Sequence, residues 1–289
     1  MITKNSWIQL SVTTLAVVLV GCTTTDAISN FCGSAATTLA SSSPVFNDMQ
    51  GSCMRAVDSR EPIGAYKTAA ADPKLAESVA RCNDIGKQGD GAKAAAAILG
   101  DYFSAIDALA SFGTAKLGTD AGTLAKNTSA AFGATSPAQT AIQSIASDLT
   151  TLLESGYQLK KLEGDLEKVS NNINAVSDGL VSVIQSNYID QLLADEENKV
   201  AVRYREFYQA GFPPEAKVML EDRWRADEAA IQAKRASGLN LISALRALSK
   251  GFSDLAQNAH QLKAKELPGL LGPYVTQIQS LIPQIQKAF

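Results

Sequence analysis

Leu159, Leu162, Leu166, Val169, Ile173, Val176, Leu180 and Val183 follow one another at spacings of 3, 4, 3, 4, 3, 4 and 3 residues. Apolar side chains at that alternation fall on one stripe of an α-helix, and such a stripe must be covered by a packing partner. A second run, Leu241, Leu245, Leu248, Phe252, Leu255, Ala259 and Leu262, repeats at 4, 3, 4, 3, 4 and 3. Between the runs, Gly211-Phe212-Pro213-Pro214-Glu215 supplies a helix stop and a fresh start with proline near the first turn. If the chain reverses midway through 211–214, Leu241 falls opposite Ile184 and Leu262 opposite Glu163, so two stripes found independently coincide in space. The pattern predicts an antiparallel helical hairpin with a coiled-coil-like stem and a tip near residues 211–214. Each arm would extend about 75–110 Å at the helical rise if unbroken; breaks are allowed at Gly156, Gly164, Gly179, Gly238 or Gly251.

The rest of the chain also reads as helical. Leu99, Tyr102, Phe103, Ile106 and Leu109 recur at three and four residues with Asp101, Ser104 and Asp107 between them, an amphipathic helix over Ala92–Phe112. Pro44, Pro62, Pro73 and the KQGDG run at 87–91 divide the region before it into short helices such as Pro73–Cys82, and 113–136 reads as a loop with a broken helix. Alternating runs of the strand type are scarce. The expected fold is an all-α bundle carrying the hairpin. Its segments are 44–136 (short helices and a bundle helix with a disulfide), 137–267 (the hairpin) and 268–289. The last is a helix bent or ended by Pro283 that packs on the bundle beside Ala92–Phe112.

The chain opens with Lys4, an apolar stretch from Ile8 to Val20 and then Gly21-Cys22, the layout of a secretory signal peptide over residues 1–21. That stretch is shorter than the roughly 20 apolar residues a membrane span needs. Leu19-Val20-Gly21-Cys22 resembles the lipobox of bacterial lipoproteins, a resemblance confined to the first 22 residues. It implies that Cys22 becomes the lipidated N-terminus, because acyl chains in combination anchor a protein stably to a membrane. Thr23, in place of the Asp that retains such proteins at the inner membrane, implies an outer-membrane location, periplasmic or surface-exposed. Residues 22–43, rich in Ser, Thr and Ala, would then hold the lipidated cysteine and a tether, with Phe31, Cys32 and Leu39 marking a short packed helix within it.

An exported chain can form disulfides. Cys32, Cys53 and Cys82 allow three pairings; Cys53 with Cys82 is the preferred one, at about 3 kcal/mol of loop-closure stabilisation. There is no Cys-x-x-Cys and the single histidine, His260, stands alone, so neither a metal site nor any cofactor is expected. A formal charge of -3 argues against a nucleic-acid partner. GKQGDGAK at 86–93 lacks the ending of a phosphate loop, no serine sits in a recognisable nucleophile elbow, and Asp195 with Glu196 reads as ordinary surface charge, so no catalytic residue is assigned.

What remains is the tip. Tyr188, Tyr204, Phe207, Tyr208, Phe212 and Trp224 are interleaved with Arg203, Arg205, Arg223 and Arg225, the residue types enriched at protein interfaces. Two readings are open. The aromatics either close a small core of the hairpin's own, or Tyr204, Phe207, Tyr208, Phe212, Arg223 and Trp224 form a partner-binding surface for a protein, peptidoglycan or a membrane. The functional expectation is a lipid-anchored scaffold or adaptor that is not an enzyme, of open oligomeric state. The alternative is a helical pore-forming or membrane-remodelling protein in which Ala92–Leu117 leaves the bundle, and a hydrolase using His260 comes third.

Overall fold

The computed structural model describes residues 26–59, 72–111, 121–154, 159–258 and 266–289, and every regular element among them is helical. Helix α1 covers residues 26–41. It is followed by α2 (Ser43–Asp58), α3 (Pro73–Ala110), α4 (Ala121–Asn127), α5 (Ser129–Phe132) and α6 (Pro137–Glu154). One continuous run then comprises α7 (Leu159–Ser182), a π-helical segment (Val183–Leu193) and α8 (Ala194–Gln209), before α9 (Pro214–Asn258) and α10 (Leu267–Gln286). The protein is all-α.

The turn between α8 and α9 is made by Gly211 at φ 75°, a left-handed conformation that glycine adopts without steric cost. Beyond it α9 returns antiparallel to the preceding run. The Tyr204 hydroxyl donates to Asp227 at 2.7 Å, Arg235 to Glu197 at 2.8 Å and the Asn174 amide to Ser253 at 3.0 Å, in that order from tip to base. Leu166, Val169, Ile173, Val176, Leu180 and Val183 are buried on one arm, and Leu241, Leu245, Leu248, Phe252 and Leu255 on the other. The side chains of Leu159 and Leu162, and the stripe residues Ala259 and Leu262, lie outside the described residues. The helices run unbroken through Gly179, Gly238 and Gly251, so the arms measure about 75 and 65 Å. Gly251 admits a neighbour instead of a kink: a Cβ there would stand 2.6 Å from the Phe31 ring.

Three local expectations are corrected. The packed helix expected at Phe31, Cys32 and Leu39 is present but not short: it covers residues 26–41, with Ala35 on the same buried stripe, so the Ser/Thr-rich stretch is no tether from residue 26 onward. Its hydroxyls are absorbed by the helix itself: Thr37 donates to the Gly33 carbonyl at 2.8 Å, Thr38 to that of Ser34 at 2.9 Å and Ser41 to that of Thr37 at 2.8 Å. The KQGDG run does not divide the chain either; it lies inside α3. Gly89 and Gly91 are sites of close approach, where a Cβ would fall 2.5 Å from the Phe46 carbonyl oxygen and 2.9 Å from the Ala131 nitrogen. Finally, α10 passes through both Pro273 and Pro283 without ending.

The place expected for α10, beside the second half of α3, is taken by α1. Phe31 meets Phe103 edge to face at 6.2 Å, and Phe103 meets Phe252 of α9 at 5.7 Å. On its other side α1 meets α10, where Gln279 donates to Ser34 at 3.0 Å and Gln286 to Ser41 at 3.2 Å. Ile98, Leu99, Tyr102, Phe103 and Ile106 of α3 all point into this core. No helix among the described residues is long and apolar enough to cross a membrane.

Candidate functional site at the hairpin tip

The arm leading to the tip changes its helical period on the way. Val183, Tyr188 and Leu193 are buried at intervals of five, and so are Ile184 and Ile189. That interval matches the i→i+5 hydrogen bonding of a π-helix, which is rare beyond a single turn. The consequence is the placement of Tyr188. Its hydroxyl donates to Asp48 of α2 at 2.8 Å, and Asp48 also receives Arg55 at 2.9 Å and Lys234 of α9 at 3.2 Å. Arg55 reaches Glu196 with Nε at 2.5 Å and Nη2 at 3.1 Å. Two carboxylates and two cations thus neutralise each other where α2, the π-segment, α8 and α9 meet. Burial, then the Asp48 charge and hydrogen bond, push the Tyr188 hydroxyl far above its ordinary range. Burial opposes the charge on Arg55, but Glu196 and Asp48 outweigh it and hold the guanidinium more firmly protonated. Glu196 is only 3 % exposed, which corrects its reading as a surface charge.

This junction fixes the direction in which the last turns of the hairpin leave the bundle. Asp58, at the end of α2, accepts a long contact from Arg203 at 3.5 Å. Past that level α8 and α9 continue as a pair. Ala201, Tyr204 with Arg205, and Tyr208 with Gln209 recur along one face of α8, and Leu220, Glu221 and Trp224 face them from α9, enclosing a cleft of about 450 Å³.

The six expected tip residues divide into two groups. Tyr204 and Phe207 are half-buried and meet edge to face at 5.9 Å, with Arg203 stacked 5.5 Å from the Phe207 ring centre. Burial and the bond to Asp227 push the Tyr204 hydroxyl up to about 12. Arg223 is engaged with Asp227 at 3.4 Å. Of these contacts the Tyr204–Asp227 bond joins the two helices, while Phe207 packs along α8 and Arg223 braces Asp227 from within α9. Tyr208, Phe212 and Trp224 are instead 55, 37 and 39 % exposed, too open to be a private core. Tyr208 and Trp224 line the cleft, whereas Phe212 lies outside its lining.

Several members of the surface were not among those expected: Arg205, Gln209, Val218, Met219, Leu220 and Glu221. Val218 and Met219 are 61 and 74 % exposed. A signal for them existed, since Val218-Met219-Leu220 is a contiguous apolar run just past the tip prolines and no single helix face can bury three neighbours.

Of the cysteines, Cys53 and Cys82 are joined with Sγ atoms 2.03 Å apart, tying α2 to α3 beside the junction. Cys32 is unpaired and buried, and burial followed by the Asp107 charge drives its thiol far above the usual range, leaving it unreactive. Cys22 and His260 lie outside the described residues.

Fold and site together define a class: an all-α bundle whose central hairpin carries an exposed, aromatic-lined cleft at one end. Compared with known proteins, the chain matches no family model, no curated protein and no solved structure.

Proposed function

We propose that this protein is a bacterial lipoprotein, attached through Cys22 to the outer membrane, that serves as a scaffold or adaptor and engages a protein or another envelope component with its hairpin tip. One observation carries the reading. Tyr208, Phe212, Val218, Met219 and Trp224 are all exposed within residues 208–224, a concentration of large apolar side chains that marks interaction surfaces rather than ordinary solvated ones. The polarity of the fold supports it. Ser29 near the start of α1 bonds to Asp107 at the end of α3, and Phe31 packs at Gly251 near the end of α9, so α1 begins at the end of the bundle away from the tip. A lipid on Cys22 would join the chain at that end, with the tip about 65 Å away along α9 at the helical rise.

The test has two parts. Incorporation of labelled palmitate should be abolished in Cys22→Ser; undiminished incorporation in that variant contradicts the anchor. The double variant Tyr208→Ala with Trp224→Ala should keep its helical circular dichroism and Tm yet lose co-isolation of the envelope component retained by the unaltered protein. Equal recovery by both proteins contradicts a binding tip.

A further inference from the structure

The chemistry of the cleft narrows what the tip can hold. Its apolar parts are the rings of Tyr204, Tyr208 and Trp224 with Leu220 and Ala201, and its polar parts are Arg205, Gln209 and Glu221. Tyr204 is committed to Asp227, and one oxygen of Glu221 is committed to Arg225 at 2.6 Å. Among the described residues the Arg205 guanidinium, the Gln209 amide, the Tyr208 hydroxyl and the Trp224 indole N–H have no hydrogen-bonding or ion-pairing partner. Lys217, 4.9 Å from the Tyr208 ring centre, covers that ring from one side without engaging its hydroxyl.

An incoming amphipathic helix would cover the rings with an aliphatic stripe and leave without a partner each of these polar ends that it buries. A sugar ring has the opposite profile. One face is a sheet of C–H groups that lies against an aromatic ring, and its rim carries hydroxyls and amides that give and take hydrogen bonds. Gln209 can do both, Arg205 and the indole only donate, and the free oxygen of Glu221 only accepts. Arg205, the cleft's uncommitted cation, favours a strand that also carries carboxylates.

We infer that the tip cleft is a glycan-binding site, built for a linear amino-sugar strand bearing carboxylates, the chemistry of peptidoglycan, with Tyr208 and Trp224 as stacking faces and Arg205, Gln209 and Glu221 as rim contacts. The inference rests on the reading of the tip as a binding surface.

Trp224 reports on the site directly, because Trp7, the other tryptophan of the chain, lies in the expected signal peptide. The lipidated protein in detergent, which begins at Cys22 and so lacks Trp7, is titrated with a linear N-acetylglucosamine oligomer and with soluble muropeptide strands. A saturable change in indole emission is expected with both ligands. Arg205→Ala should weaken the carboxylate-bearing strand at least about tenfold and the neutral oligomer less, and Tyr208→Ala should weaken both about tenfold or more. Unchanged helical circular dichroism of each variant excludes loss of fold, and Lys87→Ala on α3, whose partner Asp84 also lies outside the cleft lining, should bind both ligands as the unaltered protein does. An unchanged emission spectrum with both ligands, together with failure of the protein to sediment with purified sacculi, overturns the glycan assignment. Photo-crosslinking from Tyr208 in cells then separates the two levels. A discrete protein adduct leaves the tip a binding surface with a protein occupant, and absence of any adduct removes the binding surface as well.

Discussion

The Tyr204 hydroxyl donates a hydrogen bond to Asp227 across the hairpin, so it can be titrated as a reporter of whether the tip is closed. Its hydroxyl is raised from an ordinary value of 10.0 to about 12 by burial and by Asp227, which needs the protonated phenol as its donor. The folded value exceeds the unfolded one, so the contribution is fully present below about pH 10 and is lost as pH rises through about 12. Absorbance titration of the unaltered protein minus Tyr204→Phe isolates this one hydroxyl from Tyr188, which burial and Asp48 hold higher still. The difference should appear near pH 12 and move down in an Asp227→Ala background, and a difference near the ordinary tyrosine value contradicts the assignment. The junction below the tip makes a second demand. Glu196 has 4 % of its side chain exposed and Arg55 38 %. Removing the more exposed partner strands the buried one, and Arg55→Ala should cost about 2–3 kcal/mol in urea unfolding, the low side of the range for a broken buried pair because water reaches Arg55. Arg55→Met combined with Glu196→Leu should recover most of that loss. Equal stability of Arg55→Ala and the unaltered protein would show that the pair does not hold α2 to α8.

At the scale of elements, the two glycine environments differ enough to predict opposite signs. Gly89→Ala drives a Cβ against the Phe46 carbonyl oxygen and should destabilise by about 1–3 kcal/mol, since backbone cannot yield as a flexible side chain does. Gly269→Ala meets nothing within 4 Å inside α10 and should be neutral or stabilising by about 0.5–1 kcal/mol. Thermal unfolding of the two variants measures both, and a destabilised Gly269→Ala would contradict the open space around it. Opening Cys53–Cys82, which spans a separation of 29 residues, should cost about 3 kcal/mol if it acts through loop closure. These elements were unequally legible. The hairpin could be read because large aliphatic residues at strict three and four spacings place a continuous apolar stripe on a helix and on no other regular element, and Gly211 with two prolines marks a reversal. Helix α1 was legible in part: Phe31, Cys32 and Leu39 mark a packed helix, but its full extent was obscured because its hydroxyls satisfy themselves within the helix and resemble linker composition. Gly89 and Gly91 look like breakers until the helix that presses on them is known. Glu196 was missed because nothing local distinguishes a buried acid from its exposed neighbour Asp195, and its partner Arg55 is remote in sequence. The five-residue recurrence of Val183, Tyr188 and Leu193 was present in the sequence, but a search for helical and strand periods passes over it. At the tip the aromatic and arginine content was legible, whereas the division between residues that close the hairpin and residues that face outward depended on which helix faces meet.

The whole molecule has a direction. α1, α3 and α10 pack around the base half of α9 through Phe31, Phe103, Phe252 and Tyr274, and α2 covers the junction up to Arg203. Beyond that level the two hairpin helices stand exposed, with their apolar residues turned outward. On the proposed reading anchorage belongs to one end and recognition to the other, and the ionic junction of Asp48, Arg55, Glu196 and Lys234 would set the orientation of the tip. Site-specific photo-crosslinking in living cells tests that division most directly, with probes at Tyr208, Phe212 and Trp224 and exposed controls at Lys168 and Gln257 toward the base. The account predicts a discrete adduct, glycan or protein, from the tip positions and none from the controls. Adducts of equal yield from base and tip, or from the base alone, would contradict it.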